Sequence, residues 1–574
     1  MKLIQWNHTH DCCQWKGVAC STKGNVIVLD ISHEFIKGGN LTSLFNLQYL
    51  QRLNLAYNEF NSDFHYEFQN LQMNLRHLNL SNAGFMGQIP IEISYLIKLE
   101  TLDLSTTFTS SQHALKLEKP NIVEVLQNLT TIKELYLDGL AISTKGEEWC
   151  HAVSSLQSLQ VLSMSSCNLS GPLDPSLTKL QSLSVLQLSH NNLASPVPEH
   201  LGNLSSLKTL QLRNCGFSGV FPKAIFQLPS LEVLDMSDNQ GLHGSLPPSI
   251  PHQLASLKFF NLSYTKFSGP LSESLLNMRQ LSTLDLSNLA LFHLSSGPML
   301  LGGDNSFDGT VPSTLFALPS LQQLILSYNR FEGPLKELPN CSSSSLEMLD
   351  LSGNNLQGPI PSSIFQLKRL SLLQLSTNQF SGTIYLNKIR SLPHLKTFDL
   401  SHNNLSVVVD DADQDVSSSA FPMMNNLLLA SCRNHTQLDL EIYNQINNVL
   451  VGMEGPFQNL GSNLFLLDLH GNQLQGPAPI FTKSIFYLDY STTISAHSFQ
   501  QTLLLDLSDN RFDGEIPKCL TTKSLSLRTL SNNPEDKWPN RDLSSTSSCI
   551  NAFQLHRSDD GNRPLKLLDA TSRI

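Results

Sequence analysis

A unit of 24 or 25 residues recurs along most of this chain, from about residue 26 to residue 517. Three consecutive copies are the clearest: LQSLSVLQLSHNNLASPVPEHLGN (180–203), LSSLKTLQLRNCGFSGVFPKAIFQ (204–227) and LPSLEVLDMSDNQGLHGSLPPSI (228–250). Each copy carries a short L-x-L core, and these cores begin at residues 29, 53, 78, 102, 135, 162, 186, 210, 234, 260, 284, 324, 349, 373, 398, 427, 467, 488 and 505. A fixed period predicts one stacked array, although 574 residues would otherwise suggest several domains.

The repeated pattern L-x-x-L-x-L-x-x-N/C-x-L is the signature of a leucine-rich repeat. Side chains alternate along a strand, so the two core leucines point to one side and the residue between them points to the other. We therefore expect an α/β repeat fold, a leucine-rich-repeat solenoid. Its parallel β-sheet would lie on a curved, concave face, with the leucines buried behind it.

An Asn commonly follows the second core leucine by three residues, where the chain should turn away from the sheet. The residues at this position are Asn58, Asn191, Asn239, Asn329, Asn354, Asn378, Asn403, Asn472 and Asn510. Their amides are expected to pair with buried backbone groups of the turn and to form a ladder along the array. Cys167, Cys215 and Cys432 occupy the same position, so we interpret them as structural and not as reactive thiols.

Interruptions of the period give the expected domain organisation. The predicted segments are an incomplete amino-terminal cap (1–25), a solenoid (26–432) with insertions near 105–128, 288–304 and 407–419, a disrupted segment (433–462), a second repeat block (463–518) and a non-repeat polar tail (519–574).

The charge and hydropathy of the sequence argue against a nucleic-acid partner and a membrane span. The formal net charge is −11, and no run of Lys or Arg offers the basic footprint that nucleic acid requires. No stretch reaches the roughly 18 uninterrupted apolar residues of a membrane span, and the first residues, MKLIQWNHTH, contain no apolar secretion core. Taken alone, the amino terminus would favour the cytosol.

Residues 6–20 read WNHTHDCCQWKGVAC, which resembles the amino-terminal cap of plant extracellular leucine-rich-repeat proteins. Receptor kinases, receptor-like proteins and polygalacturonase inhibitors share this cap. The resemblance implies that the solenoid is of the plant extracellular subtype. It also implies a Cys13–Cys20 disulfide, and for Cys12 an upstream partner that this sequence lacks. A zinc knuckle is the alternative, but no second Cys/His pair accompanies it. Cys150, Cys341, Cys519 and Cys549 have no partner that the sequence can assign.

N-x-S/T sequons add support for an extracellular location. Candidate glycosylation sites are Asn7, Asn40, Asn79, Asn128, Asn168, Asn203, Asn261, Asn340, Asn404 and Asn434. A single sequon is weak evidence because the repeat generates them, but together with the cap they favour the cell exterior.

Several longer sequence segments indicate which family the chain resembles. SLFNLQYLQRLNLAYNEF (43–60), EEWCHAVSSLQSLQVLSMSSCNLSGPL (147–173), NNLLLASCRN (425–434) and SNLFLLDLHGNQLQG (462–476) resemble plant receptor-like proteins of the Verticillium-wilt-resistance type. That resemblance implies a single-pass protein of the plasma membrane without a kinase, which recognises a pathogen- or plant-derived ligand outside the cell and signals through a partner receptor kinase. This sequence differs in lacking the signal peptide, a section near 433–462, the last repeats and the membrane helix. Alternatives are a secreted inhibitor of a microbial wall-degrading enzyme and a non-functional truncated product.

A peptide, protein or glycan ligand would bind the concave face, which the residues flanking the core leucines form. The ligand-binding candidates there are Arg52, His77, Glu134, Tyr136, Asp138, Gln187, Gln211 and Arg213. The middle position is often Asp, which we interpret as a habit of the repeat that makes the face acidic and favours cationic ligands.

No catalytic pattern accompanies the repeats. His33-Glu34 lacks the second His of a zinc-protease helix, and no phosphate-binding loop, G-x-S-x-G elbow or kinase motif set is present. We expect no enzyme activity, metal or cofactor.

Overall fold

The structure, a computed structural model, describes residues 2–7, 10–38, 41–64, 66–71, 74–107, 115–142, 144–288, 305–339, 344–408 and 422–429, with four further strand segments at 466–468, 487–489, 504–506 and 526–529. The chain forms two compact units, which are described separately. The first comprises Met1–Glu332 with Ser344–Leu346, and the second comprises Gly333–Ser343 with Glu347–Ile574.

Short strands build the inner sheet of the first unit, and all of them except Val18–Cys20 of the cap lie at predicted L-x-L cores. They are Val18–Cys20, Val26–Asp30, Arg52–Asn54, His77–Asn79, Thr101–Asp103, Glu134–Tyr136, Val161–Ser163, Val185–Gln187, Thr209–Gln211, Val233–Asp235, Phe259–Asn261, Thr283–Asp285 and Gln323–Ile325. All neighbours pair in parallel except the first two strands, which are antiparallel. Leu162, Leu186 and Leu210 lie opposite one another and are fully buried. The predicted parallel sheet with a buried leucine face is confirmed.

An outer layer follows each core strand. Its strands are Ser62–Asp63, Phe85–Gln88, Leu115–Leu117, Ala141–Ile142, Ser218–Val220, Gly241–Gly244, Lys266–Pro270, Ser306–Gly309 and Arg330–Pro334. Its helices are Leu3–Gln5, Cys12–Gln14, Thr42–Asn46, Tyr66–Leu71, Ile91–Tyr95, Ile122–Leu126, Gly146–Ser154, Pro175–Lys179, Glu199–Asn203, Lys223–Gln227, His252–Ser256, Glu273–Asn277 and Ser313–Ala317. Ile122–Leu126 and Gly146–Ser154 are α-helices and the others are short 3₁₀ turns. A proline such as Pro198 or Pro222 often precedes the turn, because its fixed φ suits an extended residue at a helix start.

The second unit repeats this arrangement. Its inner strands are Met348–Asp350, Leu372–Gln374, Thr397–Asp399, Asn426–Leu428, Leu466–Asp468, Tyr487–Asp489, Leu504–Asp506 and Ser526–Thr529, its outer strands are Asn355–Gly358, Gln379–Tyr385 and Asn404–Val408, and its helices are Ser362–Gln366 and Leu386–Ser391. The last inner strand, Ser526–Thr529, pairs in parallel with Leu504–Asp506. It lies in the segment expected to be a non-repeat tail, where KSLSLRTLSNN carries one further L-x-L core.

The expected ladder of side-chain amides is present. Asn191 is typical: its Oδ1 accepts hydrogen bonds from the backbone N–H groups of Cys167 (3.1 Å) and Leu169 (2.9 Å). Its Nδ2 donates to the carbonyl oxygens of Met164 (2.8 Å) and Leu188 (2.7 Å). The ladder residue therefore satisfies buried backbone groups of two adjacent repeats at once.

Cysteine can replace Asn in this ladder. The thiols of Cys167 and Cys215 donate to the carbonyl oxygens of Leu137 (2.9 Å) and Leu188 (3.1 Å). Burial raises the pKa of the Cys215 thiol to about 12 and moves the Cys167 pKa in the same direction. Both sulfurs are neutral packing groups in the first unit, while Cys432 lies outside the described residues.

One ladder residue, Asn305, was not predicted from the sequence pattern. Asn305 stands 19 residues after Leu286, yet its Nδ2 donates to Leu262 O (2.9 Å), Leu286 O (3.1 Å) and Ser287 O (3.0 Å). The extra residues expected near 288–304 thus separate a core strand from its own ladder Asn, and residues 289–304 lie outside the described part of the chain.

The other predicted interruptions are described only in part. Within 105–128, residues 115–117 form an outer strand and residues 122–126 form a helix, as in a regular repeat. Most of 407–419 and all of 433–462 lie outside the described residues.

Candidate functional site

The register of the inner sheet sorts its outward-facing residues into three rows that run across the strands. The first row contains the residue before each core leucine: Arg52, His77, Thr101, Glu134, Val161, Val185, Thr209, Val233 and Phe259. The middle row contains the residue after that leucine: Asn54, Asn79, Asp103, Tyr136, Ser163, Gln187, Gln211, Asp235 and Asn261. The third row lies two residues further on: Ala56, Ser81, Ser105, Asp138, Ser165, Ser189, Arg213, Ser237 and Ser263. All eight predicted binding residues fall in these rows.

In most repeats the middle-row residue accepts hydrogen bonds from the third-row residue of the same repeat. The Oδ1 of Asp235 accepts hydrogen bonds from the backbone N–H (3.0 Å) and hydroxyl (2.6 Å) of Ser237, and Asp103 makes the same pair of bonds with Ser105. Burial raises the pKa of both carboxyl groups. The middle aspartates therefore close a local turn, and they give the face less acidic surface than the sequence suggested.

Four consecutive strands lack this hydrogen-bonded pair of a middle-row Asp or Asn and a third-row Ser. Between Glu134–Tyr136 and Thr209–Gln211 the middle row reads Tyr136, Ser163, Gln187 and Gln211, and no Asp or Asn stands in it. Because the local turn is not closed there, side chains of adjacent strands bind each other instead. This stretch, with its first-row and third-row neighbours from Glu134 to Val233, is called the variant surface below.

Hydrogen bonds across strands organise the variant surface. The Ser163 hydroxyl lies 2.8 Å from Asp138 Oδ1 and 3.0 Å from Gln187 Oε1. Gln187 Nε2 donates to Gln211 Oε1 over 2.5 Å, and the Ser165 N–H donates to Asp138 Oδ1 over 2.6 Å. The two glutamine amides thus form a polar line across neighbouring strands.

Arg213 closes one end of the variant surface. Its Nε donates to Asp238 Oδ2 over 2.7 Å, and its Nη2 lies 2.5 Å from the same oxygen. Asp238 has a φ of 58° and precedes the ladder residue Asn239. The ion pair cancels the charge of Arg213 and fixes its orientation, so Asp238 positions Arg213, a role that the sequence pattern does not predict.

Tyr136 lies at the other end, half-buried among carboxylates. Burial raises the pKa of its phenol, and the nearby charges of Glu134, Asp103 and Asp138 raise it further. The phenol is consequently neutral at physiological pH, and its ring lies in a negative local potential.

The first row links three of the predicted residues. His77 Nδ1 lies 3.2 Å from Thr101 Oγ1, and that hydroxyl donates to Glu134 Oε2 over 3.2 Å. Burial, followed by the charge of Arg52, lowers the pKa of His77, so the imidazole is neutral at pH 7. Beyond Glu134 the row turns apolar, with Val161, Val185, Val233 and Phe259 all partly exposed. They are not among the residues predicted from the sequence, which carry charged, amide or aromatic side chains.

The cap and the sequons can also be placed. Cys13 and Cys20 form a disulfide with Cα atoms 5.4 Å apart, and Cys12 is a free thiol. Cys150 is buried, and its sulfur accepts a hydrogen bond from the Asp174 N–H (3.4 Å). Cys341, Cys519 and Cys549 lie outside the described residues.

Exposure divides the candidate glycosylation sites. Asn7, Asn128, Asn168, Asn203 and Asn404 are exposed, Asn79 is partly buried, Asn261 is buried, and Asn40, Asn340 and Asn434 lie outside the described residues. Asn261 Oδ1 also accepts a hydrogen bond from the Ser263 N–H (2.8 Å), and the burial of Asn261 leaves little open surface for a glycan.

Family models match much of the chain. The model described as "Leucine-rich repeat region" matches residues 140–435, "Leucine rich repeat N-terminal domain" matches 2–21, and "Leucine Rich Repeat" matches 74–96. The chain therefore belongs to the leucine-rich-repeat family.

Within that family the chain is similar to plant receptor-like proteins. It is 39% identical over 175 residues to Receptor-like protein 6 of Arabidopsis thaliana and 31% identical over 186 residues to Receptor-like protein EIX1 of Solanum lycopersicum. These alignments cover 30% and 29% of this chain but only 17% of each relative. The predicted resemblance to receptor-like proteins is confirmed at this level.

Among solved structures, the plant peptide hormone receptor RGFR1 in complex with RGF2 superimposes with a TM-score of 0.64. The match covers 91% of this chain and 83% of that receptor at 24% sequence identity, and it supports the fold. None of the helices in the described part of the chain is both long and apolar enough to cross a bilayer.

Proposed function

We propose that this chain is the extracellular ligand-recognition part of a plant receptor-like protein that perceives pathogens, and that its ligand binds the variant surface. The observation that carries the proposal is the loss of the Asp/Asn–Ser turn on four consecutive strands. A structural array has no need to lose that turn, whereas a binding surface needs outward side chains that differ from the repeat.

The chemistry of the variant surface suits recognition better than catalysis. It combines a tyrosine ring, two linked amides, a fixed guanidinium and partly exposed valines, which are typical interface groups. We infer a peptide or protein ligand, with a glycan as the alternative that the amide line could also serve. A partner receptor kinase would carry the signal, as the similarity to receptor-like proteins suggests.

The extracellular location is part of the same proposal. The Cys13–Cys20 disulfide and the five exposed sequon asparagines fit the oxidising, glycosylating secretory route, and the matched receptor-like proteins favour the plasma membrane. The narrower relationship to the Verticillium-wilt-resistance type stays a prediction.

A chimeric receptor tests the function. Residues 1–574 would be joined to a signal peptide, a membrane helix and a plant receptor-kinase domain, expressed in leaves and exposed to culture filtrate of a wilt fungus. We expect a burst of reactive oxygen that the double variant Tyr136→Ala/Gln187→Ala abolishes. Thr283→Ala, a partly exposed first-row residue outside the variant surface, is the matched control. An equal burst from all three surface-displayed proteins would refute the proposal.

A further inference from the structure

The outer layer of the first unit contains a groove between two α-helices, Ile122–Leu126 and Gly146–Ser154. Its volume is about 490 Å³, within the roughly 300–1,000 Å³ of clefts that hold small ligands. The two helices belong to the repeats whose inner strands, Glu134–Tyr136 and Val161–Ser163, begin the variant surface. A molecule in the groove would therefore contact the outer layer of these repeats and not the inner sheet.

Apolar and hydrogen-bonding side chains share the lining of the groove. Val123 is 40% exposed and Ala152 is buried, and together they supply apolar surface. Gln127 and Ser155, which cap the carboxyl ends of the two helices, supply an amide and a hydroxyl. Glu147 supplies a carboxylate that forms no ion pair with any residue in the described ranges. Such a lining suits a molecule that carries both C–H surface and hydroxyl donors.

His151 adds a second acceptor to the groove. Its Nδ1 lies 2.7 Å from the carbonyl oxygen of Glu147, one turn earlier on the same helix. Because a carbonyl oxygen only accepts, Nδ1 carries the hydrogen, and Nε2 of the neutral ring is left as an acceptor. The Glu147 carboxylate and this nitrogen can therefore each accept a hydrogen bond from a sugar hydroxyl.

The exposed sequon residue Asn128 lies at the edge of this groove. Glu134 and Val161 pair in register, and Asn128 and Ser155 each precede their strand by six residues. Both are followed by a fully buried leucine whose N–H donates to the carbonyl three residues earlier over 3.0 Å. Asn128 thus occupies the same level of its repeat as Ser155, and the preceding residue, Gln127, also lines the groove. A glycan on Asn128 would begin beside the groove.

We propose that Asn128 is glycosylated and that the first two sugars of its glycan, both N-acetylglucosamine, lie in the groove; the proposal rests on the extracellular location proposed above. A lipid-diphosphate-linked oligosaccharide is the donor: a bond forms between Asn128 Nδ2 and C1 of the first sugar, the bond from C1 to the diphosphate breaks, and Nδ2 loses one proton. Val123 and Ala152 contact the C–H faces of the sugars, and Glu147 and His151 accept hydrogen bonds from their hydroxyl groups. The glycan then links two adjacent repeats and stabilises the outer layer behind the first strands of the variant surface.

Endoglycosidase H tests this inference because it cuts between those two sugars. The full chain, secreted behind a signal peptide from cells that make oligomannose glycans, would be digested without denaturation, and the glycan left at each sequon measured by mass spectrometry. Asn203 is the matched reference: it is exposed and also precedes its strand by six residues, but its repeat carries a 3₁₀ turn in place of an α-helix. If the Asn128 sugars occupy the groove about nine-tenths of the time, they should be released about tenfold more slowly than those of Asn203. After denaturation the two rates should be equal.

A double variant removes the acceptors of the groove. Glu147→Ala/His151→Ala should bring the release rate at Asn128 close to that of the reference sequon. Glu332→Ala/His252→Ala, which changes the same residue types at exposed positions of other repeats, is the matched control and should leave the rate at Asn128 unchanged. Slow release that persists in Glu147→Ala/His151→Ala would overturn the inference, as would equal native rates at the two sequons or an unmodified Asn128.

Hydrogen exchange gives an independent readout of the link between the repeats. Asn128→Gln should speed exchange in the helix Gly146–Ser154, whereas Asn203→Gln should not. Slow exchange in this helix that persists in Asn128→Gln would assign the groove to another occupant and also overturn the inference.

The oxygen burst of the chimeric receptor tests the function separately, since Asn128 and the groove lie outside the variant surface. A burst from a receptor whose Asn128 glycan is unprotected would reject the glycan inference and keep the receptor function. A protected Asn128 glycan without a burst would reject the function and leave the inference in place.

Discussion

The ladder residue Asn191 offers the sharpest test of how the array holds together. Its side chain is 7% exposed and makes short hydrogen bonds to two backbone N–H groups and two carbonyl oxygens of adjacent repeats. Asn191→Ala removes all four. At a net value of about 1 kcal/mol per bond, unfolding of this region should become easier by about 4 kcal/mol.

Hydrogen exchange measured by mass spectrometry reads this effect locally and does not assume that the whole array unfolds at once. The amides of Cys167 and Leu169, which lose their acceptor, should exchange about a thousandfold faster in Asn191→Ala. The adjacent Asn192 is exposed, so Asn192→Ala is a matched control that should change stability by less than about 0.5 kcal/mol.

Asn191→Cys should give exchange rates between those of Asn191→Ala and Asn192→Ala. The thiols of Cys167 and Cys215 already occupy the same ladder position and donate a hydrogen bond to a carbonyl oxygen. Similar exchange rates for Asn191→Ala and Asn192→Ala would show that the ladder contributes little and would refute the reasoning.

Two further predictions concern charge and backbone geometry. Glu232 lies between Lys258 (2.6 Å) and Lys208 (4.0 Å), and the hydrogen bond from Lys258 lowers its pKa below 4.5. Its contribution is present above the unfolded pKa near 4.5 and is lost as pH falls through the lower folded value. Glu232→Gln should therefore cost about 1 kcal/mol in urea unfolding at pH 7, and the cost should shrink as the pH falls below 4.5. A cost that does not change with pH would contradict the assignment of an ion pair. Gly139 has a φ of +78°, and a Cβ there would lie 2.0 Å from Thr106 O, so Gly139→Ala should cost about 3 kcal/mol in thermal unfolding. Gly24→Ala, at φ +80° with open space around it, should cost only about 1 kcal/mol, and equal losses at the two glycines would refute the steric explanation.

The repeat period predicted the inner strands because each L-x-L core carries its own local signal. The leucines at 135, 162, 186, 210 and 234 are all fully buried, and their strands pair in register. Asn305 was missed because an insertion moves it away from its core, and only the folded backbone shows which carbonyls it meets. Ser526–Thr529 was missed because a single L-x-L in a polar segment has no periodic neighbours to support it.

The site was harder to read from sequence than the fold. Tyr136 and Arg213 could be selected as outward-facing anchors, but Asp238 comes from the next repeat and its bond to Arg213 depends on a left-handed backbone residue. The apolar row was equally hidden, since Val161 and Val185 look like ordinary strand residues until the register aligns them. Cross-strand relations of this kind are set by packing, and a single sequence does not contain them locally.

The most direct test of the central claim uses a variant in which the Asp–Ser turn of the other repeats is restored inside the variant surface. Tyr136→Asp/Asp138→Ser/Gln187→Asp recreates the turn that Asp103 and Ser105 or Asp235 and Ser237 form elsewhere, and Ser189 already stands in place for the second pair. In the chimeric receptor, this triple variant should reach the cell surface and melt at a temperature no lower than the parent, yet give no oxygen burst with culture filtrate. A stable triple variant that responds as strongly as the parent would contradict the assignment of ligand recognition to these strands.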